Sequence, residues 1–358
     1  MSGRKAIKNM ITVIVYCLLF LSLGLIGCSA DSMIEGEIQS DSFITSVDKA
    51  FLMDKFGTSH IKIAFNDENK NELNYIEFNG NEFRHEIIET PAVPNHPQFS
   101  PDGSKIAFST GHEGLTGITE MYVIDLTQEG RPAYKLDTQN AAIPRWRVLE
   151  SGDTAIVYVD ICGPNHDALW DISSTFEVTF SNNTFGAPYK LFFRSYNGGV
   201  TYDNMLAVSG FTSLYFHYLW EDFDANTDMY NGEQVCNVSM SRDSSKIVSF
   251  LETRGRLGME FTKDTTYHWH QYVFYMDSMG NLLKAIKAKG DNVFNGTEWI
   301  NFSGYQVSAV TRPDEITEDI VLIDYDEETY YPILKARGRQ VAYPDLWVDP
   351  ERSSPQER

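Results

Sequence analysis

After residue 60 the apolar positions fall in short runs rich in Tyr, Phe, Val, Ile and Thr, and Gly, Pro, Asn and Asp separate them at close intervals. No long segment there carries helical periodicity. The pattern predicts many short strands joined by tight turns, an all-β chain. Its sharpest statement runs from His96 to Phe108. Pro97 to Ser100 ends one strand, Pro101 and Asp102 fill the centre of a type I turn, and Gly103 takes the φ > 0 position that closes a bulged hairpin. Lys105 to Ser109 then returns as the second strand.

Weaker copies of this hairpin follow. Ile143 to Trp146 returns as Thr154 to Tyr158 with Gly152 at the turn, and Gly198 to Val200 returns as Met205 to Val208 with Asn204 in the left-handed position. Val235 to Ser241 returns as Ile247 to Phe250, with Ser244 where Gly would be easiest. Glu298 to Phe302 returns as Val307 to Val310, and the last copy begins at Ala342 to Trp347. Further strands are expected at 121–126 with 134–136, 175–180 with 190–191, 271–276 with 283–286, and 320–325 with 331–334. Units of about four strands, spaced by roughly 40 to 60 residues, are the mark of propeller blades. The last hairpin lacks partners at the C-terminus, but strands at 61–65, 73–78 and 83–88 are available at the other end. Pairing the two ends would close the ring and hide its sheet edges. Six blades are expected, with seven as the alternative.

The segment Pro97 to Phe108, followed by Met121 to Leu126, resembles the repeat of TolB-type six-bladed propellers. The resemblance implies that fold for residues 59–349. TolB carries an α/β domain ahead of its propeller, for which this chain has no room, so TolB's partner contacts do not transfer. Ser173 to Asn182 with Phe185-Gly186 and Lys190-Leu191, Gly198 to Val200, and Tyr230 to Asn237 are similar to a Fibrobacter paralogous family of predicted lipoproteins. That likeness implies a lipoprotein propeller and supplies no catalytic residues.

The first 27 residues read as a lipoprotein signal peptide: a basic start, an apolar run from Met10 to Leu21, then Leu25-Ile26-Gly27-Cys28. The last four resemble the bacterial lipobox, which makes Cys28 the expected lipid attachment site, with several acyl chains giving stable anchorage. An uncleaved transmembrane anchor is the alternative. Ser29 after the cysteine favours the outer membrane, facing the periplasm or the surface. Residues 28–58 read as an acidic flexible tether, helical near Val47 to Phe56. Residues 59–349 make the propeller and 350–358 a polar tail.

Charge narrows the partners. Lys and Arg number 29 against 50 Asp and Glu, a formal net charge of −21. So acidic a surface repels phosphate backbones and anionic headgroups, which excludes nucleic acid and leaves lipid anchorage as the only membrane contact. Cationic partners or a divalent metal suit it better. Cys162 and Cys236 fit no metal spacing, and buried thiols are the simpler reading beside a disulfide.

From Asp222 to Glu233 oxygen side chains occupy EF-hand-like positions, with Asp222, Asp224, Asn226, Asp228 and Glu233 as candidate calcium ligands. Thr227 stands where the sharp turn wants Gly, and a solvated acidic connector explains the segment equally. His268 and His270 would share one strand face, without a third zinc ligand. No GxSxG, HExxH or Asp-box motif is present. Residues entering the innermost strands, His96, Arg145, Asn197, Gln234 and Glu298, are candidate ligand contacts at the channel mouth. The expected role is a membrane-anchored binding or scaffold module for a protein or glycan. A polysaccharide lyase or hydrolase with residues scattered over the blades is the alternative, since propeller enzymes need no compact motif.

Overall fold

The computed structural model describes residues 43–110, 119–138, 140–160, 174–193, 197–210, 213–219, 227–230, 235–252, 255–312 and 318–351. They build six antiparallel sheets arranged as the blades of a propeller. Blade 1 consists of Pro94–Phe99, Lys105–Thr110, Met121–Asp125 and Ala133–Lys135, in order from the centre outwards. Blade 2 runs Ala141–Val148, Thr154–Asp160, Ser174–Ser181 and Tyr189–Phe193, with the short strand Thr184–Phe185 also pairing the third. Blade 3 is Asn197–Val200, Leu206–Gly210, Leu214–Tyr218 and Thr227–Tyr230; blade 4 is Val235–Met240, Val248–Glu252, Tyr272–Met276 and Leu282–Lys287. Blade 5 is Val293–Trp299, Tyr305–Thr311, Glu318–Asp324 and Thr329–Ala336.

Blade 6 joins the two ends of the described chain. Its innermost strand is Val341–Val348, and the other three are His60–Asp67, Glu72–Asn79 and Glu82–Ile88. Ile61 pairs with Val348 and Asp67 with Val341, the end-to-end closure read from the sequence. Trp347, buried as expected, seals the seam between blades 6 and 1. Its indole Nε1 donates to Pro101 O at 3.0 Å, and Lys62 lies 4.9 Å above its ring while donating to Gly103 O at 2.7 Å. Gly103 is required twice over. Its φ is +66°, and a Cβ there would sit 2.4 Å from Trp347 Cε2.

Hydrophobic clusters fill the gaps between successive blades, because each sheet is apolar on both faces. Tyr75, Phe99, Phe108 and Trp347 join blades 6 and 1; Ile156, Tyr158, Val178 and Phe180 meet Ala107 and Val123 between blades 1 and 2. Phe216, Phe250, Tyr272 and Phe274 lie between blades 3 and 4, and Tyr275, Phe294, Trp299 and Val321 between blades 4 and 5.

Three elements depart from the sequence reading. The presumed tether is folded from Phe43 onward: Ile44–Val47 adds a fifth strand to the outer edge of blade 5, and the helix Lys49–Phe56 buries Leu52 and Phe56 fully between blades 5 and 6. The helix falls where expected, capped by Asp48, whose side chain accepts from Phe51 N, and ended by Gly57 at φ 64°. The body of the protein therefore begins before residue 59. Second, Thr227–Tyr230 is strand paired to Leu214–Phe216, so Asp222 to Glu233 is not one continuous loop. Third, the hairpin after Met240 is one residue longer than that after Phe99, since Ser241 N bonds Ile247 O whereas Ser100 N bonds Lys105 O. The left-handed residue is accordingly Lys246 at φ 52°, not Ser244.

Candidate functional site

Each innermost strand is interrupted at the same height by a bulge. Register against the second strand slips between Asn95 and Gln98, Ala142 and Arg145, Asn197 and Gly199, Cys236 and Ser239, Asn295 and Glu298, and Ala342 and Asp345. In each of these six bulges one residue takes positive φ. These are His96 at 49°, Ile143 at 52°, Gly199 at 101°, Asn237 at 47°, Gly296 at 65° and Tyr343 at 48°. Gly and Asn adopt that conformation cheaply, whereas a bulky side chain there costs on the order of 1–3 kcal/mol. The three strained positions, Tyr343, His96 and Ile143, belong to the consecutive blades 6, 1 and 2, and a proline follows each. The His96 and Tyr343 rings lie against each other, tilted by 32°, with centroids 3.8 Å apart.

Two residues beyond the bulge, side chains meet on the axis. Arg145 of blade 2 and Glu298 of blade 5 stand opposite each other in the ring, yet Arg145 Nη1 donates to Glu298 Oε2 at 2.5 Å, so the pair spans the centre. Ser239 Oγ of blade 4 donates to the same Oε2 at 2.8 Å, and Arg145 Nη2 donates to Val238 O at 3.0 Å. Gly199, the bulge residue of blade 3, leaves room for this arginine: a Cβ would already touch Arg145 Cδ at 3.5 Å. Nearer the hairpin end, Arg242 Nη2 reaches Gln98 Oε1 at 3.4 Å and Asp345 Oδ1 at 3.3 Å. Asp345 Oδ2 accepts from Phe99 N at 2.7 Å, and Ser239 Oγ accepts from Trp299 N at 3.2 Å, each side chain stitching its blade to the next.

The axis is therefore a buried polar network. The Arg145 and Glu298 side chains are only 9% and 11% exposed. Asp345 is wholly buried, and that burial pushes its carboxyl up to about 6, against the opposing pull of Arg242. Another buried acid lies off the axis. Glu252 of blade 4 accepts from the hydroxyls of Tyr230 and Tyr267 and from Gly255 N at 3.2 Å, tying blade 3 to the short helix Arg256–Thr262. Burial and the facing carboxylate raise the Tyr230 hydroxyl far above its ordinary range.

Of the sequence candidates, the fold brings Arg145 and Glu298 together, and each satisfies the other. His96 lies at the bulge level, its ring against that of Tyr343. Asn197 belongs to the innermost strand of blade 3, its side chain outside the described part. Gln234, Cys28, Cys162, Asp222, Asp224, Asn226, Glu233 and the side chain of Asp228 also lie outside the described residues. His268 and His270 do not share a strand face: they precede the strand Tyr272–Met276, with His270 at φ 57° and pushed down to about 4 by burial. Sequence reasoning missed Gln98, Ser239, Arg242 and Asp345. A signal for two of them was present, because Gln98 and Asp345, like Arg145, directly follow the proline of the bulge.

This geometry defines a six-bladed β-propeller with an ion-paired axis. Among solved structures the fold is similar to a TolB from Agrobacterium tumefaciens, with 14% identity, 79% of this chain and 92% of that one covered, and a TM-score of 0.51. It is also similar to a chain of a nidogen/laminin complex (8% identity, 81% and 99% covered, TM-score 0.53) and to hydrazine synthase of Kuenenia stuttgartiensis (10%, 84% and 49%, TM-score 0.54). At such identities the likeness is one of fold. No family model and no curated sequence matches the chain.

Proposed function

We propose that this protein is a lipid-anchored propeller of the cell envelope that serves as a binding or scaffold module for a protein or glycan partner. The observation that supports the reading is the axis itself. Arg145, Glu298, Arg242 and Asp345 spend their charges on one another and on neighbouring strands, so the centre works as a rigid hub and recognition falls to the loops and outer surfaces it positions. TolB-like neighbours share this scaffold, and Cys28, at the end of the segment that follows the apolar run, is the expected anchor.

Binding of the purified chain to panels of envelope proteins and glycans, beside turnover assays on polysaccharides and chromogenic substrates, tests the role. Binding without turnover is expected. Turnover that Glu298→Gln abolishes in a folded variant would replace this reading with the enzyme. Anchorage is tested by acyl labelling in a lipoprotein-processing host, where Cys28→Ala should lose the label. Equal labelling of both forms would overturn it.

A further inference from the structure

A groove of about 580 Å³ lies between the outer parts of blades 1 and 2. One wall is the outermost strand of blade 1 with the two residues after it, Ala133 to Asp137; the other is the hairpin of blade 2 with Asn183, Phe185 and Pro188. Asn182 and Asn183, at φ 50° and 58°, form the two-residue turn of that hairpin, and Asn183 Nδ2 donates to Asp125 Oδ2 at 3.0 Å, which fixes the second wall against blade 1. Both walls are thus held in place without any occupant.

The first wall is an open edge. Asp125 N bonds Pro132 O at 3.3 Å and Leu136 N bonds Met121 O at 2.9 Å, so the ladder to the third strand runs through Pro132, Tyr134 and Leu136. Antiparallel pairing alternates, and the N–H and C=O groups of Ala133 and Lys135 therefore point away from their own sheet, along the edge that lines the groove. Ala133, Lys135 and Asp137 are exposed. The same molecule shows what such an edge accepts: the outermost strand of blade 5 carries Ile44–Val47 as an added antiparallel strand. Charge says what kind of strand suits blade 1. The Asp137 carboxylate at the end of the groove has no ion-pair partner among the described residues, Lys135 is paired with Glu120, and the chain as a whole carries −21.

The geometry points to this groove as a docking site for an extended, net-positive segment of a partner protein, which adds to blade 1 as a fifth strand beside Ala133–Lys135. The inference rests on the binding-module reading and gives it a partner class. Main-chain bonds to Ala133 and Lys135 supply affinity, the Phe185 side of the groove receives alternate side chains, and Asp137 selects for positive charge.

The test uses the full chain in detergent against arrays of extended decapeptides of positive, neutral and negative net charge, beside a glycan array. Net-positive peptides should bind best. Lys135→Pro removes an edge-facing N–H that the ladder does not use, and should weaken binding by about tenfold or more, while Lys135→Ala retains it. Asp137→Asn should reduce the preference for positive charge. Should Lys135→Pro fail to fold, N-methylated peptides carry the test: methylation of one alternate set of amides should abolish binding and of the other should spare it. Peptide binding indifferent to Lys135→Pro and to both methylation sets would overturn the groove while keeping a binding module. Glycan binding lost in Phe185→Ala would overturn it in favour of a saccharide site. Binding to neither array would overturn both the groove and the binding-module reading.

Discussion

The innermost and outermost strands of these blades are built to opposite rules. At the centre every residue of Pro94–Phe99 and Val341–Val348 is buried, the bulges sit at one height in all blades, and charged groups find partners across the ring. At the rim strand length and continuity vary from blade to blade. Ala133–Lys135 has three residues, the edge of blade 2 splits into Thr184–Phe185 and Tyr189–Phe193, and blade 5 borrows its last strand from the N-terminal segment. The contrast teaches that the ring is specified from the axis outwards. The centre tolerates strained backbone at His96, Ile143 and Tyr343 because each is held by neighbours on both sides, whereas the rim is free to vary in length and pairing.

The largest expected effect is at the seam. Deleting Val341 to Arg358 removes the innermost strand of blade 6 and Trp347, and should abolish cooperative unfolding in a thermal melt, whereas deleting only residues 352–358 should leave the melt within a few degrees of wild type. Similar melts for both truncations would remove the distinction between centre and rim.

Next comes the cross-axis pair. Arg145→Ala strands the Glu298 carboxylate in a buried site and should cost about 3–5 kcal/mol in denaturant unfolding, while the double variant Arg145→Met with Glu298→Leu should recover most of it. A double variant no better than the single would mean that the pair contributes more than charge neutralisation.

Asp345 sharpens the comparison through pH. Its folded value is raised to about 6 from an ordinary 3.8, so folding favours the neutral acid. That contribution is fully present below pH 4 and is lost as pH rises through 6. Relative to Asp345→Asn, the wild type should therefore lose on the order of 3 kcal/mol between pH 4 and pH 7, read from paired unfolding curves. A constant difference would show that Arg242 holds the carboxylate ionised throughout. Smallest is the rim: Tyr189→Ala, at a side chain 63% exposed, should change stability by no more than about 0.5 kcal/mol.

The hairpins were legible because their turns carry chemistry. Asp102 and Asp203 bind the hydroxyls of Ser100 and Thr201 in equivalent turns, so the Asp, the small polar residue before it and the left-handed Gly103 or Asn204 recur in the sequence. Leu214–Tyr218 and Thr227–Tyr230 were not, since one is an aromatic run unmarked by Gly or Pro and the other is polar and follows an acidic stretch. Ile44–Val47 was hidden among serines and acids that composition assigns to a tether. The axial partners are illegible for a different reason. Arg145 and Glu298 are 153 residues apart, and only closure of a ring with two blades between them on either side makes them neighbours.

The assembly of blade 6 from strands far apart in the sequence sets the order of events during synthesis. His60–Asp67 leaves the ribosome with its inner edge open, and the strand that covers it, Val341–Val348, begins 274 residues after Asp67. At roughly 5–20 residues per second that is an interval of tens of seconds. Throughout it the unpaired backbone of His60–Asp67 is the most vulnerable template in the nascent chain, and an early stop anywhere before Val341 releases a product with that template exposed.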